Sequence, residues 1–244
     1  MNLLIVEAEE LGANNELELR GRRLLHLNTV LKVQAGDNVR VGQLNGSIGT
    51  GTVRSIGEDL AVIDVSLDQP APAPLALTVV MALPRPKMLR RILRGMAETG
   101  IKEIHLINSF RVEKSYWQSP LLQAPALREA LLSGLEQAMD TVMPTVHLHR
   151  RFRPFAEDSL PALCDGCDAL LGDLGAAEDY PASPSSPSLL ALGPEGGFIP
   201  FEQELIINAG ARPVSLGPRM LRLETALHCA VGRHLGGHGD PRSR

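Results

Sequence analysis

Apolar and polar positions follow two different rhythms along the chain, and the change comes near residue 70. Before it, short runs rich in Val, Ile and Leu at 3–6, 37–44, 48–56 and 60–67 read as strands. Gly36-Asp37, Asn45-Gly46 and Gly57-Glu58-Asp59 punctuate them as turns, and Asn45-Gly46 is a pair that two-residue hairpins favour. One short helical pattern, residues 24–33, interrupts the strands, and the lengths fit a small β-barrel. After the change, apolar strands at 77–83, 104–108, 146–148, 169–171, 189–192 and 213–216 alternate with helical patterns at 87–99, 125–139, 200–207 and 220–235. That alternation predicts an α/β domain with a parallel sheet. Between the two regimes, Pro70, Pro72 and Pro74 alternate with alanines in a stiff extended linker, which divides the chain into domains at 1–68 and 75–240. The Pro/Ser stretch at 181–188 is expected to be a poorly ordered loop, and the tail from 236 onward to fray. No internal repeat is present.

Two dense stretches carry the candidate chemistry. Gly193-Pro194-Glu195-Gly196-Gly197-Phe198 follows the strand ending at Leu192 and leads into a helix with Pro200 in its first turn. Glycine there permits positive φ and close approach of a ligand to the backbone, and Glu195 favours a cationic or hydroxyl-rich ligand over a phosphate. Leu216-Gly217-Pro218-Arg219-Met220-Leu221-Arg222-Leu223-Glu224-Thr225-Ala226 also joins a strand to a helix. Two such loops side by side form a crevice at the carboxyl ends of the strands, where open α/β sheets bind ligands. Taken singly, each stretch also fits a plain tight turn or a solvated helix start.

Together the two stretches resemble the RsmE family, the 16S ribosomal RNA uridine N3-methyltransferases of the SPOUT superfamily. The resemblance extends to Arg22-Arg23-Leu24-Leu25-His26-Leu27, Val30-Leu31-Lys32 and Gly36-Asp37 near the N-terminus, and to Lys87 with Glu98-Thr99-Gly100. Glu136-Gln137 with Pro144 matches a further family stretch, but Met139, Asp140 and Val142 stand where the family usually has an Arg close by. The resemblance implies a trefoil-knotted C-terminal domain that binds S-adenosylmethionine, preceded by a PUA-like RNA-binding barrel. It implies a homodimer acting on 16S ribosomal RNA within the 30S subunit. Leu192, Gly193, Glu195, Gly196, Gly197, Leu216, Gly217, Met220 and Leu221 are then the expected cofactor contacts, with Leu171 and Gly172 supplying a third loop.

Charge modifies this picture locally. The chain of 244 residues carries a formal net charge of −4, so any RNA site is a patch and not a bulk property. Residues 84–114 hold eight basic and three acidic residues, a local surplus of five positive charges. On the helix at 87–99, Leu89, Ile92, Leu93 and Met96 form an apolar face, while Lys87, Arg90, Arg91 and Arg94 form a basic stripe opposite. That stripe, with Arg111, Arg22 and Arg23, is the expected RNA contact, although a basic stripe also fits an ordinary solvated face. Aromatics are 3% of the chain, which argues against base stacking as the main mode of RNA contact.

Other chemistries are disfavoured. No GxxxxGK[ST] or strand-linked GxGxxG is present, which disfavours a P-loop enzyme and a Rossmann-type methyltransferase. Cys164-x-x-Cys167 is a lone pair, and the seven histidines show no ligand-like spacing of three, so no metal is expected. The N-terminal apolar run is too short and too closely followed by Glu7, Glu9 and Glu10 for a signal peptide, and no run approaches a membrane span. Three cysteines, an odd number, suit a reducing cytoplasm.

If the family reaction applies, the protein's hardest task is the acceptor. A uracil imide is mostly protonated at neutral pH, and its N3 becomes nucleophilic as charge builds on O2 and O4. A planar, permanently charged guanidinium suits those two oxygens, and Arg219 is the first choice for it. Three roles are open to Glu224: taking the proton, orienting Arg219, or capping the helix. The competing reading is a non-catalytic RNA-binding or ribosome-assembly protein on the same scaffold.

Overall fold

The computed structural model describes residues 2–185 and 187–235. The tail expected to fray and Ser186 of the Pro/Ser loop lie outside the described residues. By Cα proximity the chain forms two compact units, one from the residues through Ala73 with Leu131–Met143, the other from Pro74–Ala130 with Pro144 onward. The linear division at the proline linker had assigned residues 131–143 to the second unit.

The first unit contains β1 (Leu4–Val6), β2 (Glu16–Leu19), α1 (Gly21–His26) running into a π-helical turn (Leu27–Leu31), β3 (Asn38–Gln43), β4 (Ile48–Ile56) and β5 (Ala61–Gln69). The sheet order is β1-β3-β4-β5-β2, with β1 parallel to β3 and the other pairs antiparallel. β2 is absent from the sequence reading because it is only four residues long. It nonetheless alternates strictly, Glu16 and Glu18 against the fully buried Leu17 and Leu19. β1 and β2 are the two edges, and among the described residues no ladder joins them to close a barrel; an isolated bridge, Leu11 to Leu17, lies alongside β2. The core is aliphatic, with Leu4, Val6, Leu24, Leu27, Val41, Val53 and Ile63. Asn45 takes the left-handed conformation (φ 57°) expected of its hairpin turn. Residues 131–143 join this unit by named bonds. The amides of Asn2 and Leu3 donate to the Glu136 carbonyl at 3.1 Å, and Asn45 N–H donates to the Thr141 carbonyl at 2.8 Å.

The second unit contains β6 (Leu75–Ala82), α2 (Pro86–Glu98), β7 (Ile101–Ile107), α3 (Ala124–Ala138, whose last turns fall in the first unit), β8 (Thr145–His149), α4 (Phe152–Pro154), a π-helical turn (Phe155–Ser159), α5 (Leu160–Cys164), β9 (Asp168–Gly172), β10 (Ser188–Leu192), α6 (Pro200–Asn208), β11 (Arg212–Val214) and α7 (Leu223–Leu235). Its six strands run parallel in the order β11-β9-β10-β6-β7-β8. β10 is buried along its whole length, as its unbroken apolar run requires. α2 begins at Pro86, buries Leu89, Ile92, Leu93 and Met96, and ends at Gly100 with φ 81°. α7 starts at Leu223, three residues later than the apolar pattern suggests, because Gly217 (φ 114°) and the exposed Pro218-Arg219-Met220 hold the preceding segment as a loop. It buries Leu223, Leu227 and Val231 on one face, and its other side is largely small and polar. Among the described residues no helix is long and apolar enough to cross a membrane.

One glycine tests the register of the first sheet. A Cβ at Gly49 would lie 1.8 Å from the Ser66 carbonyl oxygen and 2.8 Å from Leu67 Cα, both backbone atoms that cannot step aside. Gly49→Ala should therefore lower unfolding free energy by about 3 kcal/mol. Gly57→Ala, whose Cβ would meet nothing closer than 3.7 Å, should change it by less than about 0.5 kcal/mol. Denaturant titration of the two variants checks this, and equal stabilities would contradict the β4–β5 pairing.

Candidate active site

Three neighbouring strands of the parallel sheet end at one level. Leu192 of β10 and Val214 of β11 both pair with Gly172 of β9, and Asp173 N–H donates back to the Val214 carbonyl at 3.0 Å. The loops that follow these strands line a cleft of about 230 Å³. Gly172, Leu192, Gly193, Glu195, Gly196, Gly197, Leu216, Gly217, Arg219, Met220 and Leu221 all face it. The sequence placed the two glycine loops side by side. In the sheet β9 lies between their strands, so the third loop is the centre of the site, and Asp173 and Leu174 join the lining. Leu171 does not line the cleft. It sits one residue inside β9 and is 1% exposed, packed in the sheet. Phe198, Leu223 and Ala226, which stand in the two motif stretches without having been named as contacts, also line it, as does Gln203, which lies outside both.

Each glycine of the first loop has a separate reason. Gly197 carries the positive φ, 73°, and its N–H donates to the Pro194 carbonyl at 2.7 Å to close a tight turn. Gly193 lets the loop fold back on itself, since a Cβ there would meet Phe198 N at 3.0 Å. Gly196 does not need positive φ. A Cβ there would lie 2.9 Å from Arg111 Cδ, because the Arg111 guanidinium reaches over the loop and donates to the Gly196 and Gly197 carbonyls. Arg111, expected to face RNA, thus fastens the glycine loop. At the loop's exit, Glu202 is only 3% exposed, and its carboxylate accepts the N–H groups of Ile199 (3.1 Å) and Phe110 (2.7 Å). The segment after β7 therefore grips the loop after β10 at its middle and its exit, an arrangement between residues some ninety positions apart.

Arg219 is exposed on the cleft wall and makes no hydrogen bond or ion pair among the described residues. Glu224 faces a wider neighbouring depression of about 1010 Å³, which shares Glu195, Met220 and Leu221 with the cleft. Arg85, Lys87, Tyr116 and Arg222 line the same depression, and Arg85 pairs with Glu195 at 3.4 Å across the boundary. The two candidate catalytic side chains thus address adjoining cavities, and no bond joins them among the described residues.

The basic residues separate into engaged and free groups. On α2, Arg90 pairs with Glu129 at 2.7 Å and Arg94 with Glu98 at 2.8 Å, whereas Lys87 and Arg91 are exposed without such partners among the described residues. Exposed ion pairs of this kind contribute little and yield readily to a phosphate. In the first unit, Arg22 is exposed, but Arg23 is bound to the Glu10 carboxylate and to the Ile5 carbonyl at 3.0 Å, a strut of the fold.

A family model described as an RNA methyltransferase domain matches residues 71–234. The ribosomal RNA small subunit methyltransferase E of Treponema pallidum is 33% identical over 243 residues, 95% of this chain and 90% of the relative. The chain belongs to the RsmE family of RNA methyltransferases. Two solved structures share its fold. An RsmE from Neisseria gonorrhoeae bound to S-adenosylmethionine aligns over 95% of each chain with a TM-score of 0.73 and 22% identity. A Legionella pneumophila protein described as a methyltransferase, in complex with the bound cofactor, aligns over 98% of each chain with a TM-score of 0.77 and 21% identity. For this RsmE member, the Arg111 fastening makes a specific expectation. Arg111→Ala should speed amide exchange across residues 193–198 by about tenfold, the loss of hydrogen bonds from one charged donor. Unchanged exchange would show that the loop holds itself.

Proposed function

We propose that this RsmE member transfers a methyl group from S-adenosylmethionine to N3 of a uridine in 16S ribosomal RNA of the 30S subunit. The observation that carries the reading is the unengaged Arg219 on the wall of a glycine-loop cleft that adjoins a wider depression. The cleft fits the cofactor's chemistry. Leu192, Leu216 and Leu221 offer aliphatic walls, the glycine loop offers exposed backbone, and Asp173 and Glu195 offer carboxylates to a cationic ligand. When bound, the cofactor supplies a methyl group on a positively charged sulfur, already activated for transfer. The chain's own contribution is to hold the acceptor in line and to stabilise its charge. Arg219 donates to the uracil oxygens as the imide loses its proton, and an interaction of that kind contributes roughly 3 kcal/mol. Glu224, on the acceptor side, takes the proton.

Lys87, Arg91 and Arg222 hold the RNA backbone beside the depression, and Arg22 is a separate RNA contact of the first unit. On this reading the second unit is a SPOUT domain with a trefoil knot, the first is a PUA-like RNA-binding unit, and the protein works in the cytoplasm. It acts as a homodimer, which a light-scattering mass of one 26.3 kDa chain at active concentration would contradict.

Arg219→Ala should reduce the single-turnover rate of methylation on 30S subunits by about 10²–10³. Cofactor affinity, read by calorimetry, should stay within about threefold. A near wild-type rate with bound cofactor would remove Arg219 from catalysis, and no methyl transfer by the wild type would favour a binding protein instead.

Replacing Lys87 and Arg91 together by Ala should weaken RNA binding and reduce the slope of log affinity against log salt by about 1 to 2. An unchanged slope would take that face away from the RNA.

A further inference from the structure

We propose that Glu103, His105 and His147 form a binding site for a zinc-class divalent cation on the β7–β8 edge of the parallel sheet. The sequence gives no hint of it, because the residues lie on two strands more than forty positions apart. The register brings them together: His105 pairs with His147 and Glu103 with Thr145, so alternate residues of the two strands share one face. The ligand atoms of Glu103, His105 and His147 all lie within 4.8 Å of one another. Glu103 Oε1 is 3.3 Å from His105 Nε2 and 2.5 Å from His147 Nε2. Neither contact has hydrogen-bond geometry, and both Nε2 atoms are buried without a hydrogen-bond partner. Two imidazole nitrogens and a carboxylate oxygen converging without satisfying one another is the arrangement a cation completes. Tetrahedral zinc with bonds of about 2.0–2.1 Å separates its ligand atoms by about 3.3 Å, and because an imidazole lone pair lies in the ring plane, the partly exposed His147 ring must turn out of its stack on His105 for both to share the ion.

The surroundings support this donor set. His105 Nδ1 lies 3.0 Å from His149 Nε2, and a bond donated there leaves the lone pair of His105 on Nε2, facing the site. The His105 and His147 rings stack at 4.6 Å with 13° between planes, and Phe155 closes the side near His149 with ring centroids 4.4 Å apart. Glu103 and His147 are each about two-fifths exposed, which gives an ion a route in and leaves room for water as the fourth ligand. The site lies on the opposite flank of the sheet from the glycine-loop cleft, with β6 between β7 and β10. Its role is therefore a cross-tie between the edge strand β8 and its neighbour. The donor set of two imidazoles and a carboxylate favours zinc over calcium or magnesium.

The test uses the full-length protein without a polyhistidine tag, stripped with chelator and titrated with Co²⁺ as the spectroscopic probe, followed by Zn²⁺ competition. One equivalent of Co²⁺ should give the visible d–d absorption of a low-coordinate nitrogen–oxygen site, and Zn²⁺ should abolish it. Zinc in about hundredfold excess over its dissociation constant should raise the melting temperature by about 5 °C. His147→Ala and Glu103→Gln, both at half-exposed positions, should each weaken Co²⁺ binding at least tenfold while circular dichroism and cofactor affinity stay at wild-type values. Absence of the absorption at one equivalent would overturn the proposal. So would an absorption that both folded variants retain.

Discussion

The site depends on a register constraint in three parallel strands. Leu192, Gly172 and Val214 end β10, β9 and β11 at one level, so three loops that are distant in sequence open onto the same cleft. Parallel pairing fixes the strand ends to within one residue, because a slip would turn every buried side chain to the wrong face. β10 has no tolerance for such a slip, being apolar and buried throughout. The functional loops can thus be irregular and rich in glycine while their roots stay rigid. Arg111 and Glu202 continue the constraint outward, fixing the middle and the exit of the first loop to the segment after β7.

Charge is distributed to match that geometry. The cleft carries carboxylates at Asp173 and Glu195 beside Arg219, whereas the adjoining depression sets Arg85, Lys87 and Arg222 against Glu195 and Glu224 and so keeps a surplus of one positive charge. A net-acidic chain thus keeps this positive charge local, where it acts within a Debye length of about 10 Å. Arg219 stands on the wall of the glycine-loop cleft with no protein partner among the described residues. Its charge is available to a ligand, in contrast to Arg23 and Arg111, which are spent on the fold.

Much of this was legible in the sequence, and the illegible parts have physical causes. Strands and helices follow from local periodicity, so β4, β10 and α2 lie within a residue or two of their apolar patterns. Glycine signals are also local, and they marked both loops, but they did not say which glycine bears the strained φ. That falls to Gly197, while Gly196 makes way for a side chain 85 positions distant. Strand order is non-local, which is why the loop after β9 was read as a third contributor through Gly172 while its central position, and with it Asp173 and Leu174, went unseen. The same cause hid the convergence of Glu103, His105 and His147. A basic residue in sequence gives no sign of its partner, so Arg111 and Arg23 looked like RNA contacts. β2 is short enough that its alternation is obvious only beside β5.

The central claim is that the chain methylates N3 of one uridine in 16S ribosomal RNA. Mass spectrometry of nucleosides from purified 16S RNA, in cells with and without the gene, tests it most directly. The account predicts that deletion removes one N3-methyluridine per 16S molecule and that the wild-type gene restores it while Arg219→Ala does not. An N3-methyluridine content unchanged by deletion would contradict it.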